Sequence, residues 1–271
     1  MKSEGLTRVS ANRRNFLKGA GMAGIGLAGA TMIGSKFGSS EQKVEAAAYS
    51  DVDILNFALN LEYLEAEFYL KSTWNTTLVG LGVIKESDTT GPTTGGQMVP
   101  GFGKLAQAYL ASALRTDEVQ HVLDLRSALG NNAVKKPAIN LDALGYGFAQ
   151  ADGWLVLARQ FEDVGVSAYL GAAPLISNSA YLAAAAAILA TEAQHSGSIR
   201  AVCVWNGVAS PAVDSLDVPP TSNTPYDVDP KTGMSIPRTP AQVLNVVYAG
   251  GGCSGGFYPS GMNGGIVCQN Q

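Results

Sequence analysis

The chain has two histidines, and both stand in one frame: Glu118-Val119-Gln120-His121 with Arg126 five residues on, and Glu192-Ala193-Gln194-His195 with Arg200 five residues on. On a helix, residues three apart share a face. Each frame therefore offers a carboxylate oxygen and an imidazole nitrogen to one point, a donor set suited to a divalent cation. A second pair of frames runs alongside: Glu62 and Tyr69 are seven residues apart, and so are Glu162 and Tyr169.

All four glutamates fall inside apolar stripes of helical period. The stripes read Ala58, Glu62, Glu65, Tyr69; Leu114, Glu118, His121, Leu125; Leu155, Ala158, Glu162, Gly165, Tyr169; and Ala185, Ile188, Glu192, His195, Ile199. Burying a lone carboxylate costs several kcal/mol even after relaxation, so four of them on core faces require compensation. Two divalent ions would balance the four negative charges. Four glutamates and two histidines, each histidine one turn beyond a glutamate, are the ligand set of a carboxylate-bridged dinuclear centre inside a four-helix bundle. One Glu-x-x-His alone is a common surface pattern, but two copies that use every histidine in matching surroundings are not.

The elements that must position these residues are four long helical segments. The first is expected over 51–71 with Ser50 as N-cap; the second follows Pro100-Gly101 and stops at Gly130-Asn131-Asn132. The third is expected from about residue 140 to 171, and the fourth from 177–179 to Gly207. Glycines in the third and the alanine run 183–187 in the fourth suggest close helix approach. Segment 72–100 reads as a long crossover loop that would lay the second helix parallel to the first and cover the site. The expected fold is an all-α four-helix bundle over 49–207. An irregular Pro- and Gly-rich extension, 208–271, packs on it, with one short helix from Pro240 behind an N-cap at Thr239. The first and second helices repeat the residue pattern of the third and fourth, as two-fold related hairpins would.

Residues 1–48 read as an export signal. A twin arginine, Arg13-Arg14, precedes a Gly- and Ala-rich apolar run, and Ala46-Ala47-Ala48 is a small-residue cleavage pattern. The run is too short and too broken by glycine for a stable membrane anchor. The expected destination is the Tat route, periplasmic or extracellular. Seven basic and three acidic residues give this segment +4; with −4 for the whole chain, the remainder carries −8. An acidic domain without basic clusters argues against nucleic-acid binding. Of three cysteines, Cys253 and Cys268 bracket the glycine-rich tail and are expected to bridge, with Cys203 free and buried.

The helix Leu55-Asn56-Phe57-Ala58-Leu59-Asn60-Leu61-Glu62-Tyr63-Leu64-Glu65-Ala66-Glu67-Phe68-Tyr69 resembles the opening helix of the ferritin-like superfamily. Within it, the chain is similar to exported ferritin-like proteins grouped with the plant desiccation-related proteins. The likeness covers 51–207 and, more loosely, 255–264. It implies Glu62, Glu118, His121, Glu162, Glu192 and His195 as ligands of two iron or manganese ions.

Tyr69, Tyr169 and Glu65 are candidates for a catalytic part. The tyrosines are placed to hydrogen-bond ligand carboxylates across the bundle, and Glu65 departs from the internal repeat because its counterpart is Gly165. Asp117 and Thr191, four residues before each histidine, are candidates to accept the second ring proton of a histidine on a neighbouring helix. Arg126 and Arg200 lie off the stripe and read as surface or helix-end residues.

Two functions share this ligand set. One is a redox protein acting on O2 or peroxide as ferroxidase, peroxidase or catalase, with no flavin, nicotinamide or haem motif to supply electrons. The other is a non-catalytic metal-binding or stress- and desiccation-protective protein whose ions are structural. The long tail argues against a cage-like iron store.

Overall fold

The computed structural model describes residues 49–102 and 105–269; the export signal read over 1–48 lies outside the described residues. Four long helices form the body: α1 (Asp51–Trp74), α2 (Leu105–Leu129), α3 (Ala151–Ala172) and α4 (Ser179–Asn206). A fifth, α5 (Pro240–Val247), lies in the extension. The architecture is all-α, as expected.

The helix ends follow local chemistry. Ser50 and Asp53 make a reciprocal capping box at the start of α1, and Asn75 closes it in the left-handed region at φ 50°. Asn178 caps α4, which ends at Gly207 with φ 67°. Thr239 and Gln242 box the start of α5, with Pro240 in its first turn. The third helix begins ten residues later than expected. Gly145 (φ 71°) and Gly147 (φ 116°) hold turns that a helix cannot contain, and a side chain at 147 would strike Leu157.

The topology corrects the reading of segment 72–100. Asn56, near the start of α1, donates to the carbonyl of Asn132 beyond the end of α2, while Arg115 near the start of α2 donates to Thr73 at the end of α1. The two helices are therefore antiparallel. The segment between them leaves and returns to the same end of the bundle, where Val99 N–H bonds the carbonyl of Ser72. The crossover is instead 130–150, because α3 begins beside the end of α1, with Trp154 packed on Phe68 and Tyr69. The two loops are laced by a short parallel pair, β1 (Thr93–Thr94) with β2 (Ile139–Asn140). A connection's length bounds the span it can bridge, not its direction. Both hairpins, α1–α2 and α3–α4, are thus antiparallel, and the two halves face each other.

The extension completes the core. The buried amide of Asn60 donates to the carbonyls of Asn56 and Asn263 and accepts from the N–H of Asn263, while the hydroxyl of Tyr258 donates to its carbonyl. The tail backbone at Arg238 crosses α3 so closely that a side chain at Gly171 would overlap its carbonyl. The glycines of α3 therefore admit loop backbone at Gly153, tail backbone at Gly171 and the side chains of two neighbouring helices at Gly165. Cys253 and Cys268 are bridged, and Cys203 is free and buried. Asn60→Ala should strip partners from several buried polar groups at once and lower stability by about 2–3 kcal/mol in urea unfolding.

Candidate metal centre

The six residues named from the sequence meet at one place, midway along the bundle. Glu62, Glu118, Glu162 and Glu192 are fully buried, and His121 and His195 are buried beside them. Their ligand atoms converge in two interlocking sets: Glu62, Glu118, His121 and Glu192 in one; Glu118, Glu162, Glu192 and His195 in the other, the atoms of each set lying within 4.8 Å of one another. Glu118 and Glu192 belong to both. Glu62 with His121 closes one end and Glu162 with His195 the other, so each end is capped by one hairpin and shared with its mate.

Both imidazoles turn Nδ1 inward. His121 Nδ1 lies 3.2 Å from Glu62 Oε2, 3.2 Å from Glu118 Oε2 and 3.1 Å from Glu192 Oε1; His195 Nδ1 lies 2.9 Å from Glu118 Oε1 and 3.2 Å from Glu162 Oε2. Several of these short approaches are not hydrogen bonds. Glu118 Oε1, Glu162 Oε2, both oxygens of Glu192 and His195 Nδ1 are buried without a hydrogen-bond partner. The distances record proximity and the missing bonds record direction: the lone pairs aim at shared points between the groups, not along N–H vectors. Orphaned buried donors and acceptors are rare, and a converging set of them is what a cation satisfies.

The electrostatics agree. Burial pushes Glu62 up to about 7 against the pull of His121, and burial with the neighbouring carboxylates lifts Glu192 well above the usual carboxylate range. Burial would also raise Glu118, but His121 and His195 outweigh it and hold it low. The carboxylates overcome desolvation in turn and raise both imidazoles well above the ordinary histidine value.

The surrounding side chains orient this set. The Tyr69 hydroxyl donates to Glu162 Oε1, and the Tyr169 hydroxyl donates to Glu62 Oε1 at 2.5 Å. Each tyrosine thus holds the terminal carboxylate of the opposite hairpin, the exchange expected from the two Glu-x6-Tyr frames. Of the two candidates for the second ring nitrogen, Asp117 is in place, with Oδ2 3.1 Å from His195 Nε2. Thr191 is not: its hydroxyl donates to the carbonyl of Ala187. Glu65 is buried at 4% exposure but belongs to neither converging set. Burial and the charges of Glu192 and Glu118 raise its carboxyl well above the usual range.

Arg200 corrects the sequence reading. It is fully buried, donates to Asp163 Oδ2 at 2.6 Å and binds the tail carbonyls of Pro225 and Val218. Arg126 remains half-buried, donating to the Tyr63 hydroxyl and pairing with Asp88. Asp163, adjacent to Glu162, also accepts from Ser196, adjacent to His195, and pairs with Arg159, which grips Asp217 of the tail. Sequence reasoning missed this network; the available signal was Arg159 one turn before Asp163 on a helix with little exposed surface. Asp163, Asp217 and Asp227 form a third acidic group. The guanidinium contacts to Asp163 and Asp217 already supply counter-charge there.

The sequence profile of the ferritin-like domain matches residues 50–204. The chain is also 26% identical over 275 residues to the ferritin-like catalase Nec2 of Nesocodon mauritianus, covering 80% of this chain and 85% of that protein.

Replacing Arg200 by Met should remove the shorter of the two guanidinium contacts to the buried Asp163, leaving only the 3.4 Å contact to Arg159, and cost about 2–4 kcal/mol in denaturant unfolding. An exposed arginine, as first read, would cost less than about 1 kcal/mol.

Proposed function

The chain belongs to the ferritin-like domain family, and from that premise we propose that it holds two iron or manganese ions and disproportionates peroxide in the manner of a catalase. The observation that carries this reading is the pair of interlocking ligand sets with Glu118 and Glu192 common to both. The distant likeness to a ferritin-like catalase supports peroxide over other oxidants. Disproportionation also suits a chain without flavin, nicotinamide or haem motifs: one peroxide is oxidised to O2 and another reduced to water, so no outside reductant is consumed.

In this reading Glu62, Glu118, His121 and Glu192 would hold one ion and Glu118, Glu162, Glu192 and His195 the other, with each imidazole offering Nδ1. When bound, such a pair of ions supplies a two-electron couple toward peroxide. The protein does the rest. Tyr69 and Tyr169 fix the rotamers of the terminal carboxylates, which keeps their free lone pairs turned inward. Asp117 fixes the ring orientation of His195 and strengthens it as a donor. The apolar residues that fill the bundle above and below, among them Leu114, Leu125, Leu155 and Ile199, keep bulk water from the carboxylates. We also propose export through the Tat route, with which the Cys253–Cys268 disulfide is compatible because such bonds persist outside the cytoplasm.

Protein purified from its native host should contain close to two equivalents of iron or manganese by elemental analysis. The Glu118→Ala, His121→Ala double variant should lose the metal and at least about 100-fold of peroxide consumption. A full metal complement in the native protein with no peroxide turnover would return the centre to a structural role.

Proton competition gives a second test. The carboxylates raise the proton affinity of both imidazoles, and ligation needs them neutral. Metal uptake should therefore release protons, visible as a dependence of calorimetric heat on buffer ionisation enthalpy, and affinity should weaken as pH falls. Asp117→Ala should weaken one of the two binding steps about 10–100-fold and spare the other.

A further inference from the structure

The two hairpins repeat each other at all six converging ligands but differ one turn beyond the first: Glu65 stands where the second hairpin has Gly165. A Cβ on residue 165 would sit 3.1 Å from Glu192 Oε2 and 3.2 Å from Glu65 Oε1. The glycine thus leaves a gap between these two carboxyls on one side of the centre.

A pocket of about 280 Å³ ends at that gap. Leu61, Leu64, Phe161 and Val164 line it from α1 and α3, and Val247 and Phe257 line it from the C-terminal extension. Its outer rim includes the exposed residues Leu144 and Ala212. Segment 72–100, expected to cover the site, contributes nothing to it; the approach to the centre is from the tail side. At the inner end Glu65 is buried, at 4% exposure, and its side chain lines the pocket.

Size, walls and charge define what fits. A dry apolar cavity of about 150 Å³ accepts benzene, so this one is far larger than peroxide or O2 requires. Its walls are mainly aliphatic and aromatic, which disfavours any ligand that must shed a tightly held hydration shell. Its inner end faces Glu65 and, beyond the gap, the carboxylates of the centre, which repel an anion. Gln160, Tyr146 and Asn245 also line the chamber, and Glu65 is the carboxyl at its inner end; a few placed polar groups in a mainly apolar chamber orient a small organic ligand.

We propose that this pocket binds a neutral organic molecule about the size of a substituted benzene, its hydrogen-bonding end against Glu65 and its apolar body between α1, α3 and the extension. The bound molecule's polar end then lies one side chain from Glu192. Binding uses none of the six converging ligands, so the site stands or falls separately from the metal reading.

Calorimetric titration of the full chain with benzyl alcohol and with toluene tests it, with benzoate and benzylamine as charged counterparts. Both neutral probes should saturate a single site, with the charged ones at least about tenfold weaker. Ala212→Trp or Leu144→Trp, which narrow the rim, should weaken both neutral probes about tenfold or more. Glu65→Leu should weaken benzyl alcohol about tenfold and leave toluene unchanged or tighter, while Glu65→Gln, which keeps a hydrogen-bonding end, should stay within about threefold for benzyl alcohol. The Gln variant carries the test if the Leu variant does not fold. Absence of saturable binding, affinities unmoved by either rim variant, or tighter binding of a charged probe would overturn the proposal. Metal content read on the rim variants should be unchanged, which separates this result from any failure of the dinuclear centre.

Discussion

Carboxylates do not enter a helical core unless something holds their charge, and this bundle brings four of them together with Glu65 beside them. The rest of the architecture answers that cost. The two hairpins are antiparallel within themselves and face each other, the geometry in which a glutamate from every helix reaches one level of the bundle. The tyrosine of one hairpin donates to the terminal glutamate of the other, so the halves are joined by hydrogen bonds that end on the very groups most costly to bury. The surrounding carboxylates raise both imidazoles above the ordinary histidine value, which marks the strength of the local negative field.

A second layer of charge lies directly behind the first. Asp163 and Ser196 are the chain neighbours of Glu162 and His195, and they bond each other. Arg159 and Arg200 then tie Asp163 to the tail through Asp217, Ser210 and backbone carbonyls of the extension. The tail is therefore a source of acceptors for two buried guanidiniums that α3 and α4 alone could not satisfy. An extension that looks accessory in sequence is part of how the second hairpin keeps its ligands in register.

The convergence of these six residues was legible because its signals are local: two residues one turn apart, repeated, in a chain with no other histidine. The tyrosines followed from the same periodicity, and Asp117 from its offset to the histidine frame. Helix ends with strong chemistry, such as Ser50, Asn178, Gly207 and Thr239, could be read to within a residue. What could not be read was long-range. The start of α3 was set too early because 141–150 carries apolar residues at mixed spacing, and only the two left-handed glycines show that the chain turns there. The crossover was assigned to the wrong loop because both candidates are long, and the choice rests on pairings such as Asn56 with Asn132 that join residues far apart in sequence. Arg200 looked peripheral because its partners lie one residue off the ligand stripe and in the tail.

The internal repeat also explains where chemistry can differ between the two ends of the centre. A strictly two-fold site would present equal faces, and among the departures from equality in the described residues two bear on access and ligand support. His195 has a carboxylate behind its ring while the equivalent position near His121 carries a threonine turned to its own helix. On the second hairpin a glycine replaces the extra glutamate of the first and opens the gap beneath the extension. Neither departure costs a ligand, so the convergent geometry survives while its surroundings become directional. A symmetric pair of hairpins supplies the charge balance that burial demands; the asymmetric additions give that balanced centre one better-supported end and one side from which a molecule can approach.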